Sequence, residues 1–195
     1  MKYAGIDYSL SCPAMTVYDD DSNSYSFYYL YGIKSRVYDD INVHGKLLDT
    51  TSHSVSKDIS DMSIHSSISR FTEIATFFLN VIRQEKVEVV FLEGYSLGSK
   101  GKVFSIAEHT AILKKTLYDN GVDTVIIPPT VIKKFATGKG NAKKEMMVDW
   151  FEKSEDVSDH IKQSLAYTQG KSKDTSPYTD LVDSYWTLMT GLNSF

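Results

Sequence analysis

The chain has 195 residues and a hydrophobic fraction of 42%, which predicts a single domain over residues 1–195 with a packed core. No apolar run approaches the roughly 20 residues of a membrane-spanning helix. The start of the chain lacks the pattern of a secretory signal, so we expect a cytoplasmic protein with no membrane partner. One cysteine, Cys12, excludes an intramolecular disulfide framework and a cysteine-rich zinc site.

The net charge of −4 conceals a basic middle segment. Residues 94–144 contain nine lysines and three acidic residues, so this segment carries +6 and the rest of the chain carries −10. A basic segment in an acidic protein indicates contact with a polyanion on one face. The same lysines could instead be the solvated faces of helices, and the sequence leaves both interpretations open.

Hydrophobic patterns predict three strands near the start of the chain, at 2–8, 14–18 and 24–33. The connections between them are short, and the second is the turn-forming DDDSN, so we expect an antiparallel meander. The stretch 34–63 is polar and has no clear period, which predicts a loop.

The rest of the chain alternates between predicted helices and strands. Apolar residues at helical spacing predict a helix over 64–85, and the apolar run in KVEVVFLEG predicts a strand that is covered on both faces. The later predictions are a helix over 102–119 that ends at Gly121, a strand over 123–128, helices over 130–136, 141–153 and 177–192, and a polar stretch over 154–176. Gly121 suits a left-handed helix cap, and we expect Thr179 to cap the last helix.

These elements predict an α/β fold. We expect a mixed five-stranded sheet in which three antiparallel strands are followed by two parallel strands, with helices on both faces.

Four carboxylates stand where predicted elements end or begin. Asp7 ends the first strand and Glu93 ends the fourth, and ligands of α/β sheets usually bind outside such strand ends. Asp180 and Asp183 are three residues apart on the last helix, so they share a face. If the two strands are parallel neighbours, the four converge. Taken singly, Asp7 could be a turn residue, and the helix acids could merely complement the helix dipole.

Four ionised carboxylates in one place need cations, because like charges raise one another's pKa. Mg²⁺, with Mn²⁺ as a substitute, suits a shell of carboxylate oxygens. Two such ions about 3.5–4 Å apart stabilise the attacking and leaving oxygens of a displacement at phosphorus. We therefore expect these carboxylates to hold two metal ions for cleavage of a phosphodiester.

The segment GIDYSLSCPAMTVYD resembles the opening of RuvC-type Holliday junction resolvases, which have the ribonuclease-H-like fold. FLEG is similar to the second acidic motif of this family, and TDLVDSYW is similar to its closing Asp-x-x-Asp helix. VIKKFATGKGNAKKEMM resembles its basic segment. The order and separations agree over nearly the whole chain, and the style is most similar to bacteriophage members, which implies the cytoplasm of a bacterium or of a phage-infected host.

The resemblance implies a function and a set of site residues. Asp7, Glu93, Asp180 and Asp183 match the catalytic carboxylates that bind two metal ions. Lys133 and Lys144 match basic positions that contact DNA near the scissile phosphate. The resemblance also implies a homodimer that binds branched DNA and nicks two symmetric strands of a four-way junction. By the same analogy, the helix over 102–119 forms the dimer interface.

Further DNA contacts are predicted in two flexible basic loops, GSKGK and GKGNAKK. Neither loop is a P-loop, but both suit phosphate contacts. With the adjoining lysine, they add five predicted DNA-binding residues: Lys100, Lys102, Lys134, Lys139 and Lys143. Relatives carry a wedging aromatic just past the second acid, near the place of Tyr95. Tyr95 or Phe104 would stack on an exposed base, which contributes about 1–3 kcal/mol per base, but both could equally be packing residues.

The histidines show no spacing typical of metal ligands, and we expect them to lie at the surface or to cap helices. They are His44, His53, His65, His109 and His160.

Three alternatives to a junction resolvase are open. A ribonuclease-H-like nuclease for flaps, forks or RNA–DNA hybrids would use the same carboxylates. A non-cleaving branched-DNA-binding module would keep the fold alone, but the intact set of four acids argues against it. An actin-like ATPase also opens with Gly-Ile-Asp, but that fold needs two such domains and a glycine where this chain has Tyr8.

Overall fold

The computed structural model describes residues 1–31, 39–40, 43–47, 64–95, 103–169 and 176–194. The strands of these residues form one sheet of seven. They are β1 (Lys2–Asp7), β2 (Ala14–Asp19), β3 (Ser24–Tyr31), β4 (Asp39–Asp40), β5 (Val43–Leu47), β6 (Val89–Glu93) and β7 (Asp123–Ile127). Across the sheet they lie in the order β4-β5-β3-β2-β1-β6-β7.

The centre of the sheet agrees with the sequence prediction. β1 pairs antiparallel with β2, and β2 pairs antiparallel with β3. On its other side, β1 pairs in parallel with β6, and β6 pairs in parallel with β7. Three antiparallel strands followed by two parallel strands are therefore confirmed, and the first and fourth predicted strands are parallel neighbours.

The predicted count of five strands is wrong, because β4 and β5 lie within 34–63, where we predicted a loop. β5 pairs in parallel with β3. Its sequence, VHGKL, contains a glycine, which weakens a strand by itself. However, Gly45 lies against the ring of Tyr29, where a Cβ would come within 2.5 Å of ring atoms. β5 therefore depends on pairing and packing with β3 rather than on its own propensity. The rest of 34–63 lies outside the described residues.

Six helices lie in the described part of the chain. They are α1 (Ile64–Glu85), α2 (Val103–Asp119), α3 (Pro129–Thr137), α4 (Lys144–Lys153), α5 (Asp159–Ala166) and α6 (Tyr178–Leu192). The predicted helix over 64–85 is confirmed, and Gly121 after α2 has the expected left-handed backbone, with φ of 64°. None of these helices is long and apolar enough to cross a membrane.

Two predictions about the helices differ from the structure. α5 lies within the polar stretch 154–176, where Ser158 caps it by accepting a hydrogen bond from Ile161 N at 3.3 Å. Ile161 and Leu165, four residues apart, are buried and hold this short helix on the core. Thr179 does not cap α6: the helix begins after Pro177 without a side-chain cap, and Thr179 is buried in its first turn.

The helices cover both faces of the sheet, as predicted, and the pleat of β1 separates the two cores. Ala4 and Ile6 pack with α1 and α2 on one face. The alternate residues, Gly5 and Asp7, face the other side, where α3 to α6 pack against the sheet. Any ligand site built on Asp7 is therefore on the α6 face.

Helix α6 lies directly on β1 because Gly5 has no side chain. A Cβ on Gly5 would come closer than 3.0 Å to Leu188 N and to Ser184 O. Ser184 also makes a buried 2.7 Å hydrogen bond with Thr16 Oγ1 on β2. These contacts set the height of α6 above the sheet.

Replacing Gly5 with alanine is expected to push α6 away from β1. Because the clash involves backbone atoms, we expect the free energy of unfolding to fall by about 1–3 kcal/mol or more. Chemical denaturation measures this change. Gly121→Ala is the reference for backbone strain without a clash: a Cβ there meets no atom within 4 Å, and its left-handed backbone costs about 1–2 kcal/mol, so we expect Gly5→Ala to lose more stability than Gly121→Ala. A Gly5→Ala variant as stable as the wild type would contradict the close contact.

Candidate active site

Two carboxylates meet where parallel strands β1 and β6 end. Ile6 and Leu92 are the last residues paired in register, and Asp7 and Glu93 directly follow them. Both acids are one residue past side chains of the α1 face, so both belong to the α6 face. The convergence predicted from the strand ends is therefore present in the structure.

Helix α6 brings two more carboxylates over the same strand end. Asp180 is buried with an exposed fraction of 3%, and Asp183 is largely buried one turn further along. The Ser176 hydroxyl donates a short hydrogen bond to Asp180 Oδ2. Because α6 lies close on β1, both helix acids are near enough to Asp7 to act on its charge.

Lys144, the first residue of α4, joins the two helix carboxylates. Its ammonium group lies 2.8 Å from Asp180 Oδ1 and 3.4 Å from Asp183 Oδ2. The side chain of Lys144 is 51% exposed, whereas that of Asp180 is 4% exposed. The sequence predicted Lys144 at the site as a DNA contact, but it did not reveal this ion pair.

A cleft of about 230 Å³ opens over the acids. Its lining residues are Asp7, Ser9, Glu93, Ile132, Lys133, Lys144, Met147 and Asp183. A second cavity, of about 250 Å³, lies near β3 and α5 and contains none of the predicted site residues. Size alone does not distinguish the two cavities, but the cleft over the acids unites acidic and basic groups from five elements.

The carboxylates disfavour one another's ionisation. Burial raises the pKa of Asp7 well above its usual value, and the charges of Glu93, Asp180 and Asp183 raise it further. Burial and the charge of Asp183 raise the pKa of Glu93 to about 7, although Lys133 and Lys144 oppose this shift. The site thus carries more negative charge than its own lysines balance.

Burial and neighbouring charges also oppose each other at Asp183 on α6 and at Lys144 on α4. Burial raises the pKa of Asp183 to about 6 despite the opposing charge of Lys144. For Lys144, burial lowers the pKa, but Asp180, Asp183 and Asp7 outweigh it and raise the pKa overall. Lys144 is therefore charged in the metal-free site at any physiological pH.

The donor set fits hard divalent cations. Four carboxylates against the two lysines of the cleft leave a charge of −2 when all are ionised, and Mg²⁺ and Mn²⁺ prefer such oxygen ligands. Among the described residues, no three His, Cys, Asp or Glu side chains already surround a common point as metal ligands. In this arrangement the ammonium group of Lys144 stands between the two helix acids.

The other predicted DNA-binding residues surround the cleft to different degrees. Lys133 lines it and is half-buried, whereas three lysines of α3 and the following turn are exposed: Lys134, Lys139 and Lys143. Tyr95 is 40% exposed, and the ammonium group of Lys114 lies 4.4 Å from its ring centroid. Phe104 is 83% exposed at the start of α2. Lys100 and Lys102 lie outside the described residues.

Sequence reasoning missed two groups near the site. Ser176, which donates to Asp180, carried no recognisable signal. His109 was predicted to lie at the surface or to cap a helix, and both are wrong: it is fully buried in the middle of α2, and its ring stacks on Tyr8 with centroids 4.0 Å apart. Its position four residues before buried Leu113 on α2 is the helical pattern that would have placed it inside.

The described strands and helices have the ribonuclease-H-like fold of RuvC-type resolvases, which confirms the predicted fold class. The solved structure of Thermus thermophilus RuvC matches with a TM-score of 0.57 and 15% identity, over 100% of this chain and 96% of that chain. The same protein in complex with a Holliday junction substrate matches with a TM-score of 0.55 and 12% identity, over 100% and 96%. The fowlpox virus Holliday junction resolvase matches with a TM-score of 0.52 and 15% identity, over 100% of both chains.

No protein-family model matches the sequence, and no curated protein matches it either.

The raised pKa of Glu93 predicts how stability depends on pH without metal. Its folded-state pKa, about 7, lies above the ordinary value of 4.5, so the folded protein binds this proton more tightly than the unfolded chain. Stability should therefore fall as pH rises from about 4 to 7. Glu93→Gln should remove much of this slope and stabilise the protein at pH 7.5 by on the order of 2 kcal/mol, since one pKa unit is about 1.4 kcal/mol.

Thermal unfolding in EDTA from pH 5 to 8 measures this effect. The control is Glu155→Gln, because Glu155 is exposed and lies on the loop after α4. If the stability of the wild type and that of Glu93→Gln depend equally on pH, the ionisation of Glu93 does not destabilise the folded protein.

Proposed function

We propose that this protein is a metal-dependent endodeoxyribonuclease that resolves four-way (Holliday) DNA junctions by paired symmetric nicks. The observation that carries the proposal is the convergence of acids from β1, β6 and α6 in one cleft, beside Lys133 and Lys144. This cleft belongs to a fold that the chain shares over its full length with solved Holliday junction resolvases. The fold alone leaves the activity open, but a carboxylate cluster beside basic side chains is suited to phosphodiester hydrolysis.

In this proposal, Asp7, Glu93, Asp180 and Asp183 hold two divalent cations per active site, Mg²⁺ or Mn²⁺. When bound, such ions lower the pKa of a ligated water and balance the charge that develops on the oxygens in an in-line displacement at phosphorus. Glu93 and Asp7 come from rigid strand ends, whereas Asp180 and Asp183 come from a packed helix. These four side chains therefore hold their positions while substrate enters.

The basic side chains bind and orient the DNA backbone. Lys133 lines the cleft and places its charge beside Glu93 and Asp183, where it would bind the scissile phosphate. The exposed Lys134, Lys139 and Lys143 continue this positive surface and would contact neighbouring phosphates. Such contacts position DNA without reading its sequence, and they make binding weaker as salt increases.

We further propose a homodimer. One cleft of this kind cuts one strand, so two symmetric nicks in a junction need two copies of the site. The exposed aromatic side chains of α2 support an interface there, because Phe104 and Tyr118 are each 83% exposed. Large exposed aromatic groups are enriched at protein interfaces.

The Asp7→Asn variant should lose DNA cleavage while it keeps its fold and its binding of DNA. We expect junction cleavage to fall by at least about 100-fold, since even groups that only support metal ligands contribute 10- to 100-fold. Binding of the junction, measured by fluorescence anisotropy, should persist because the lysines remain. The assay uses a labelled four-way junction with Mg²⁺, Mn²⁺ or EDTA. Asp149→Asn, a change of an exposed acid on α4, should cleave normally.

A comparison of several DNA substrates distinguishes the proposed function from the alternative functions. Paired symmetric nicks in the junction, but not in a matched linear duplex, support a resolvase. Better cutting of flaps, forks or RNA–DNA hybrids would retain the nuclease and reject the resolvase. Binding without cutting of any substrate would favour a branched-DNA-binding module, and normal cutting by Asp7→Asn would reject the assigned site.

A further inference from the structure

Every oxygen of Asp180 already has a partner within the chain. The ammonium group of Lys144 lies 2.8 Å from Oδ1, and the hydroxyl of Ser176 donates to Oδ2. Lys144 also lies 3.4 Å from Asp183 Oδ2. Each oxygen keeps a second acceptor position, but the positive charge of Lys144 beside Oδ1 opposes the approach of a divalent cation to Asp180 in this arrangement.

We propose that Lys144 is an internal counter-ion that holds the helix acids together in the metal-free protein and is displaced when a divalent cation binds. This role rests on the proposed function, because it concerns the same carboxylates as metal ligands. The displaced ammonium group is then free to donate hydrogen bonds to a DNA phosphate in the cleft beside Lys133. Lys144 is thus a positioning residue before metal binding and a substrate contact afterwards.

The exposure of the two side chains determines which of them can move. Asp180 is fixed in the first turns of a helix that packs on β1, and its side chain is 4% exposed. The side chain of Lys144 is 51% exposed, and its flexible stem can turn into solvent without opening the core. Displacement therefore leaves the carboxylates in place and moves only the base.

The start of α4 holds Lys144 weakly. Lys143 at its N-cap position makes no side-chain cap, and Lys144 follows it directly. Positive charges at a helix N-terminus oppose the helix dipole, so the local structure disfavours both lysines. The ion pairs to Asp180 and Asp183 offset this cost for Lys144. Once a cation has taken the place of the ammonium group, the helix dipole favours movement of the Lys144 side chain away from the start of α4.

The first test measures Mn²⁺ affinity by isothermal titration calorimetry on the full chain without DNA. Lys144→Met removes the competing charge and should lower the Kd for Mn²⁺ by roughly tenfold. Lys143→Met is the matched control: it removes the same charge one residue away, where the side chain is exposed, and should leave the Kd within about twofold. An unchanged or weaker affinity in Lys144→Met would overturn the proposal.

A second test follows the lysine itself. Acylation of wild-type protein at pH 8, read out by mass spectrometry, should label Lys144 slowly in EDTA and at least about fivefold faster with Mn²⁺. Only the neutral amine is nucleophilic, and the ion pairs to Asp180 and Asp183 keep Lys144 protonated and enclosed. Labelling of Lys143 should not respond to metal. Metal-independent labelling of Lys144 would show that it is not displaced.

The outcomes also separate this proposal from the proposed function. If the wild type binds Mn²⁺ normally and Lys144→Met binds it with the same Kd, only the counter-ion role is wrong. If neither protein binds Mn²⁺, the displacement and the metal-dependent activity both fail. Should Lys144→Met fold poorly, Lys144→Met combined with Asp180→Asn should restore its metal-free Tm, because the uncompensated buried charge is then gone.

Discussion

The contact between α6 and β1 is the constraint on which the candidate site depends. A helix normally stands off a sheet by the length of the side chains between them, but Gly5 removes that spacing at the centre of β1. Gly191, near the end of the same helix, similarly fits against the ring of Phe91 on β6. The absence of these two side chains lets α6 pack close to β1 and β6. Asp180 and Asp183 come near Asp7 through this backbone packing, although the charges of the acids repel one another.

This packing makes the acids rigid at an electrostatic cost. Burial and mutual repulsion raise the pKa of Asp7, Glu93 and Asp183, so the ionised cluster destabilises the fold. The apolar core on the same face offsets that cost through large buried side chains such as Phe151, Tyr185 and Leu188. If the site binds cations, as we propose, each bound ion would relieve repulsion that the fold has already imposed.

Local patterns revealed the acids, whereas tertiary contacts decided their partners. Asp7 and Glu93 follow apolar runs, and Asp180 and Asp183 have helical spacing, so sequence alone predicted where the four would meet. β5 escaped prediction because VHGKL forms a strand only beside β3. His109 was misplaced because its polarity was weighed above its helical position, although burial lowers its pKa to about 4 and keeps it neutral in the core. The Lys144 ion pair joins residues far apart in sequence, and no spacing rule reports it.

The loop after Asp7 is fixed from the opposite face of the sheet. Arg70 on α1 donates a 2.8 Å hydrogen bond to Leu10 O, and Tyr8 stacks on His109 of α2. Asp7 is thus held by α6 on one side and, through its neighbours, by α1 and α2 on the other. The lysines of the cleft are less enclosed: Lys133 is half-buried, and the side chain of Lys144 is 51% exposed although it is paired with Asp180 and Asp183. The cleft therefore combines packed, largely buried acids with more exposed lysines. This is the arrangement that our proposal requires if the lysines are to adjust to a bound cation or phosphate while the acids keep their geometry.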